Sequence, residues 1–202
     1  MLRVLDRSLS GLPRPARTLL DWALTIGLAV GFVLVFQAEV AKPYRIPTAS
    51  MEPTLHCARP VSGCRATFAD RVIANRLAYR FRSPRRGEIV VFRTPPAAAA
   101  HCPPGGTFVK RILGLPGETV TMSAGPVTVD GRLVDESEYI RSRDQAGTQS
   151  GSWRVPAGHY FLLGDNRTAS CDSRTWGSVP KKNLIGPVLA RYWPPQRVDA
   201  AP

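Results

Sequence analysis

Phe108-Val109-Lys110-Arg111-Ile112-Leu113-Gly114-Leu115-Pro116-Gly117 is an apolar run, broken by two adjacent cations, that ends abruptly on a Gly-Leu-Pro-Gly turn. A run this short, closed this sharply, is a strand rather than a helix. Alternate side chains of a strand share a face. Phe108, Lys110, Ile112 and Gly114 therefore lie together, and Arg111 points the opposite way. That alternation sets Lys110 among apolar neighbours and leaves Arg111 where a charge is tolerable.

Segments of the same kind surround it. Arg71-Val72-Ile73-Ala74-Asn75, Glu88-Ile89-Val90-Val91-Phe92, His159-Tyr160-Phe161-Leu162-Leu163 and Val188-Leu189-Ala190-Arg191-Tyr192-Trp193 have strand length and composition. Val127 to Val134 alternates about Asp130-Gly131, a strong hairpin signal. With 19 prolines and 17 glycines the chain is rich in turns. Lys42 to Pro47 reads as extended chain, because each proline biases its predecessor away from helix. Residues 94–106 and 141–152 read as loops, and Arg80, Arg82, Arg85 and Arg86 form a basic connector around Pro84. No internal repeat is visible, and beyond the N-terminal region no segment has a 3.6-residue period. The soluble part is expected to be mainly β.

A lysine in a half-buried strand is, taken alone, most often a surface residue. It acquires chemistry when desolvation lowers its pKa from about 10.4 towards 7, since the neutral amine is a base. Such a shift asks for an apolar wall and no neighbouring carboxylate. The natural client is Ser50, in Ile46-Pro47-Thr48-Ala49-Ser50-Met51-Glu52-Pro53-Thr54. A serine hydroxyl attacks poorly unless a base removes its proton. The three histidines, His56, His101 and His159, stand in no nucleophile-elbow context, and no Gly-x-Ser-x-Gly occurs. Prolines on both sides of Ser50 stiffen its loop, and the Ser50 amide with the Thr48 hydroxyl could form an oxyanion hole.

Further upstream, Trp22 to Ala38 contains no charge. Seventeen helical residues cover roughly 26 Å, and Leu19 and Leu20 bring the span close to the ~30 Å hydrocarbon core. Arg3, Arg7, Arg14 and Arg17 precede it, which predicts a cytoplasmic N-terminus and a domain outside. A cleaved signal peptide fits less well: the apolar run is long, and Phe36 is bulky where a small residue is wanted. The expected division is a basic tail over 1–18, a transmembrane helix over 19–39, an extracytoplasmic domain over 40–195 and a tail over 196–202.

The formal charge of +12 invites a nucleic-acid partner, but no basic helix or stacking platform accompanies it. A domain held against anionic lipid accounts for the excess equally well. Cys57, Cys64, Cys102 and Cys171 fit an oxidising compartment, and their spacing argues against zinc. Of the three possible pairings, Cys57–Cys64 with Cys102–Cys171 is favoured, the first closing a short local loop.

Four segments, in order behind the apolar span, resemble type I signal peptidases: residues 46–54; Arg86-Gly87-Glu88-Ile89-Val90-Val91-Phe92; Val109 to Gly117; and Gly164-Asp165-Asn166-Arg167-Thr168-Ala169-Ser170-Cys171-Asp172-Ser173-Arg174. The resemblance runs from about residue 19 to 193. It implies an antiparallel β catalytic domain in which Ser50 is the nucleophile and Lys110 the general base. Thr48 would supply the oxyanion hydroxyl, where the family often has serine, and Ser170 would orient the lysine amine. Asp165, Asp172 and Arg174 would form the polar scaffold around that loop, with Asp165 paired to Arg111. Glu88 and Glu118 depart from the family pattern at positions without catalytic roles. The short stretch before Gly164 implies that the second, non-catalytic β subdomain is reduced to about residues 119–157.

The implied activity is removal of signal peptides from exported preproteins at a phospholipid membrane, with no cofactor or metal and no nucleic acid. The secretion translocon is a candidate partner. Rival readings are a peptidase dedicated to one substrate, such as a conjugation pilin, and an inactive anchored binding domain. A self-cleaving repressor of LexA type would share the Ser/Lys pair, but would carry a DNA-binding module where this chain has an apolar span.

Overall fold

The computed structural model describes residues 13–102, 106–123, 125–140 and 149–200. Arg3 and Arg7, and most of the expected 141–152 loop, lie outside the described residues. The chain forms two compact units, Met1–Val40 and Ala41–Pro202.

The first unit is a helix, α1 (Arg14–Glu39). Its stretch Pro15–Phe36, of 22 residues and mean hydropathy 2.2, is long and apolar enough to cross a membrane. At 1.5 Å per residue it measures about 33 Å. Leu19, Leu28 and Phe32 are each at least 70% exposed.

The second unit is antiparallel β. Eight strands make the main sheet: β1 (Ala41–Arg45), β2 (Arg71–Asn75), β3 (Ile89–Arg93), β4 (Thr107–Gly114), β9 (His159–Leu163), β10 (Val179–Pro180), β11 (Leu184–Trp193) and β12 (Asp199–Ala200). They run in the order β1-β2-β11-β3-β4-β9-β10, with β12 beside β11. A smaller sheet of β5 (Thr119–Met122), β6 (Val127–Val129), β7 (Arg132–Leu133) and β8 (Gly151–Arg154) has the order β7-β6-β5-β8. Two single-turn α-helices, α2 (Ala78–Phe81) and α3 (Ser173–Trp176), are also present.

The central strands β3, β4 and β9 are buried on both faces along most of their length, which is why they read as continuous apolar runs. Val90, Phe92, Ile112 and Leu162 belong to one core cluster, with Trp176 and Val179. Their neighbours Ile89 and Val91 join Ile46, Met51, Leu55 and Val72 in a second. Leu113, Phe161 and Leu163 enter a third, shared with Val120, Met122, Val127 and Val129 of the small sheet. Each fully buried aliphatic or aromatic side chain contributes roughly 1.5–3 kcal/mol.

Three local expectations change. Lys42 to Pro47 includes a paired strand, β1, not only extended chain. Gly151 and Ser152, expected in a loop, pair with Met122 and Thr121 in β8. Their polarity reflects a half-exposed strand in which Trp153 supplies the packing against Phe161. Pro96–Ala100, also expected as loop, forms a 3-10 turn. The hairpin falls where Asp130-Gly131 puts it: both residues have positive φ, 49° and 77°, between β6 and β7. Arg82 and Arg86 of the basic connector are ion-paired, to Glu88 and Glu118, each at 2.6 Å.

Candidate active site

Ser50 sits in a 3-10 turn, Ala49–Met51, entered from extended Thr48. Cis-Pro53 follows two residues later. All three turn residues are buried. The turn is fastened from outside by Asn166, whose amide donates to the Ser50 carbonyl at 3.1 Å and whose Nδ2 donates to the Ala49 carbonyl at 3.1 Å. From below, buried Glu52 accepts from the amides of Cys57 at 3.2 Å and Arg65 at 3.4 Å, and pairs with the His56 ring. Glu52 thus ties the nucleophile turn to the loop closed by Cys57–Cys64.

Lys110 comes from β4, which pairs residue for residue with β3, Lys110 opposite Val90 and Arg111 opposite Ile89. Its Nζ lies 2.5 Å from Ser50 Oγ and 5.7 Å from the Phe108 ring centroid. Only 3% of the residue is exposed. Burial lowers its pKa to about 8, against the pull of Asp172 and Asp165 and with help from Arg174. Two carboxylates therefore do stand near the amine, contrary to the expectation of none. Each is already engaged. Asp165 accepts from Arg111 Nε at 2.9 Å, Arg111 Nη2 at 2.7 Å and the Thr54 hydroxyl at 2.6 Å. Asp172 accepts from Arg174 Nε and Nη2, both at 2.8 Å, and from the Gly164 amide at 3.0 Å. Carboxylates with their own guanidinium hold a lysine proton weakly, and desolvation wins.

Thr48 Oγ1 is 3.3 Å from Ser50 Oγ. Ser170 Oγ is buried, and it has no hydrogen-bond partner among the described residues, so the expected bond to the lysine amine is not formed. It stays close to the site through Gly164: a methyl there would come 2.2 Å from Ser170 Oγ and 2.4 Å from the Ser50 carbonyl. Only a residue without Cβ lets those two segments meet. Cys57–Cys64 and Cys102–Cys171 are both disulfide-bonded. His159 Nδ1 lies 3.0 Å from the Ala157 carbonyl and His56 bonds Glu52; the side chain against Ser50 Oγ is a lysine.

A cleft of about 500 Å³ opens above the pair, between residues 44–51 and 107–110. Among the described residues no group of His, Cys, Asp and Glu has the arrangement of a metal site. What the pocket offers is a hydroxyl in contact with a dry amine that loses its proton near pH 8.

The family model described as "Signal peptidase, peptidase S26" matches residues 19–193. The chain belongs to the peptidase S26 family. A signal peptidase I of Leptolyngbya laminosa is 38% identical over 187 residues, covering 92% of this chain and 85% of that protein. A signal peptidase I of Mycobacterium tuberculosis is 34% identical over 231 residues, covering 92% and 76%. A solved signal peptidase I from Enterococcus faecalis has 31% identity and a TM-score of 0.42, over 52% of this chain and 97% of that one.

For an S26 chain the sequence had already singled out Ser50, Lys110, Thr48, Ser170, the Asp165–Arg111 pair, and Asp172 and Arg174, whose mutual pairing only the structure shows. It missed Asn166, Glu52 and Thr54, which stand inside the quoted motifs but whose partners are distant in sequence. It also missed Glu136, which meets Arg167 with both side chains buried. Nothing local marks Glu136; only the paired burial of an opposite charge reveals it.

Proposed function

We propose that this S26 protein is a membrane-anchored serine endopeptidase that removes signal peptides from exported preproteins with a Ser50/Lys110 dyad. The observation that carries the assignment is the 2.5 Å approach of a buried amine to a buried serine hydroxyl. The uncharged Lys110 takes the Ser50 proton as the oxygen attacks the scissile carbonyl. The Ser50 amide and the Thr48 hydroxyl face the oxygen that becomes negative. Lys110 then passes the proton to the departing amine. In the second half it takes a proton from water, which attacks the acyl-serine, and returns that proton to Ser50. Ser170 is assigned to hold the amine once substrate fills the cleft; its unpartnered buried hydroxyl supports this.

The substrate lies extended along the cleft walls, a strand-addition mode. The helix over 19–39 anchors residues 40–195 outside the cytoplasmic membrane, with the basic tail inside, and residues 119–157 are a non-catalytic insertion. Anchoring brings the site to substrates that are themselves membrane-tethered and raises effective concentration. Phospholipid and the secretion translocon are the remaining partners in this scheme.

The test is incubation of the purified full-length protein in detergent with a preprotein, followed by N-terminal sequencing of the product. Ser50→Ala, Lys110→Ala and Lys110→Arg should each abolish cleavage while thermal unfolding stays cooperative. A guanidinium cannot give up its proton in this range, so substantial turnover by the arginine variant would exclude the dyad.

A further inference from the structure

Among the described residues, Arg45 is the one charged side chain besides Lys110 that lines the cleft, and no carboxylate does. Arg45 is exposed at the end of β1, five positions before Ser50. More cations stand elsewhere on β1 and on β3. Lys42 Nζ lies 5.8 Å from the ring centroid of Tyr44, itself a lining residue. Arg93 is exposed and pairs across the sheet with Thr107, on the opposite wall. Burial raises the pKa of the Tyr44 phenol, and the two charges that act against it are Arg76 and Arg93. The acidic groups nearest the dyad, Asp165 and Asp172, are saturated by Arg111 and Arg174. The mouth of the cleft is therefore a concave positive surface with partly apolar walls, the geometry that focuses a field on an entering chain.

We infer that this cleft selects substrates with an acidic residue close to the scissile bond and disfavours basic ones, with Arg45 as the residue that reads the charge. The inference deepens the peptidase assignment above and rests on it. An extended peptide advances about 3.3 Å per residue, and the chain from Arg45 to Thr48 approaches the dyad as an extended wall. A side chain roughly two to five positions from the cut, on the arm running along that wall, meets the Arg45 guanidinium. Because Arg45 is solvent-exposed, the discrimination is modest, about fivefold, and salt-sensitive.

The test uses the full-length protein in detergent and a neutral parent peptide, with a single Glu or Lys placed at each of five positions on either side of the cut. The expected result is a Glu-over-Lys ratio in kcat/KM of about fivefold at one or more positions on one arm. That ratio should fall towards unity in about 0.5 M salt. Arg45→Glu should reverse the order at those positions, and Arg45→Gln should bring it within about twofold. Equal rates at every position, or a preference that both variants leave unchanged, would overturn the inference while the peptidase assignment stood. Failure to cut even the neutral parent would overturn both.

Discussion

Lys110 is an amine that folding makes dry at a cost. Its pKa falls from 10.5 to about 8 as it is buried, a difference worth about 3 kcal/mol at 1.36 per unit. The sign follows from proton counting. Between about pH 8 and 10.5 the unfolded chain holds a proton there that the folded chain does not, so stability rises with pH across that window. Below about pH 8 the penalty is complete. Lys110→Met, which keeps the length without the charge, should therefore raise stability by about 1–3 kcal/mol near pH 6. The gain should shrink towards zero near pH 10.5, as read by denaturant unfolding at the two pH values. Activity carries the same signature. Under the proposed dyad, kcat/KM for a peptide should climb tenfold per pH unit below about 8 and level off above it. A profile flat from pH 6 to 9 would disconnect the amine from the reaction.

Between elements, buried ion pairs do much of the fastening. Arg167, 2% exposed, opens the 3-10 turn of the Gly164–Arg174 segment and meets Glu136, 3% exposed, from the connector after β7. Its Nε also donates to the Gly164 carbonyl at 3.1 Å. Glu136→Ala would leave a guanidinium buried without its counter-charge, a loss of about 3–5 kcal/mol. Glu136→Gln, which keeps an acceptor, should cost less; urea titration ranks the two. This contact also marks the limit of what the sequence discloses. Arg71–Asn75 was legible to the residue because its burial alternates, with Val72 and Ala74 in the core, and His159–Leu163 because it is an almost continuously buried apolar run. Gly151–Arg154 was not, because its pattern is polar and it is its ladder with Thr119–Met122 that makes it a strand. The contact between Lys110 and Ser50 was legible because alternation and motif order agree on those two residues. Asn166 and Glu52 act on backbone groups of other segments, and no periodicity encodes such a target. The missing Ser170–Lys110 bond was likewise beyond sequence, since it depends on where a rotatable hydroxyl comes to rest.

At the scale of the whole molecule, two covalent links brace opposite sides of the site. Cys57–Cys64 spans 7 positions and Cys102–Cys171 spans 69. In the chain-entropy account the long link removes about 4 kcal/mol of unfolded-state freedom and the short one about 2–3. Replacing Cys102 and Cys171 by alanine should therefore lower the unfolding midpoint more than replacing Cys57 and Cys64, as thermal denaturation would show. The reverse order would mean that the Glu52-anchored loop, not the long closure, dominates. The pairing of β3 with β4 has a different kind of consequence. A slip of one residue would exchange Lys110 and Arg111, putting a permanently ionised fork in the dry pocket and a lone amine beside Asp165. Neither exchange can do chemistry. Under the proposed dyad, a copy whose ladder closed one residue out of step would therefore be inert toward every chain it met, however well the rest of it had folded.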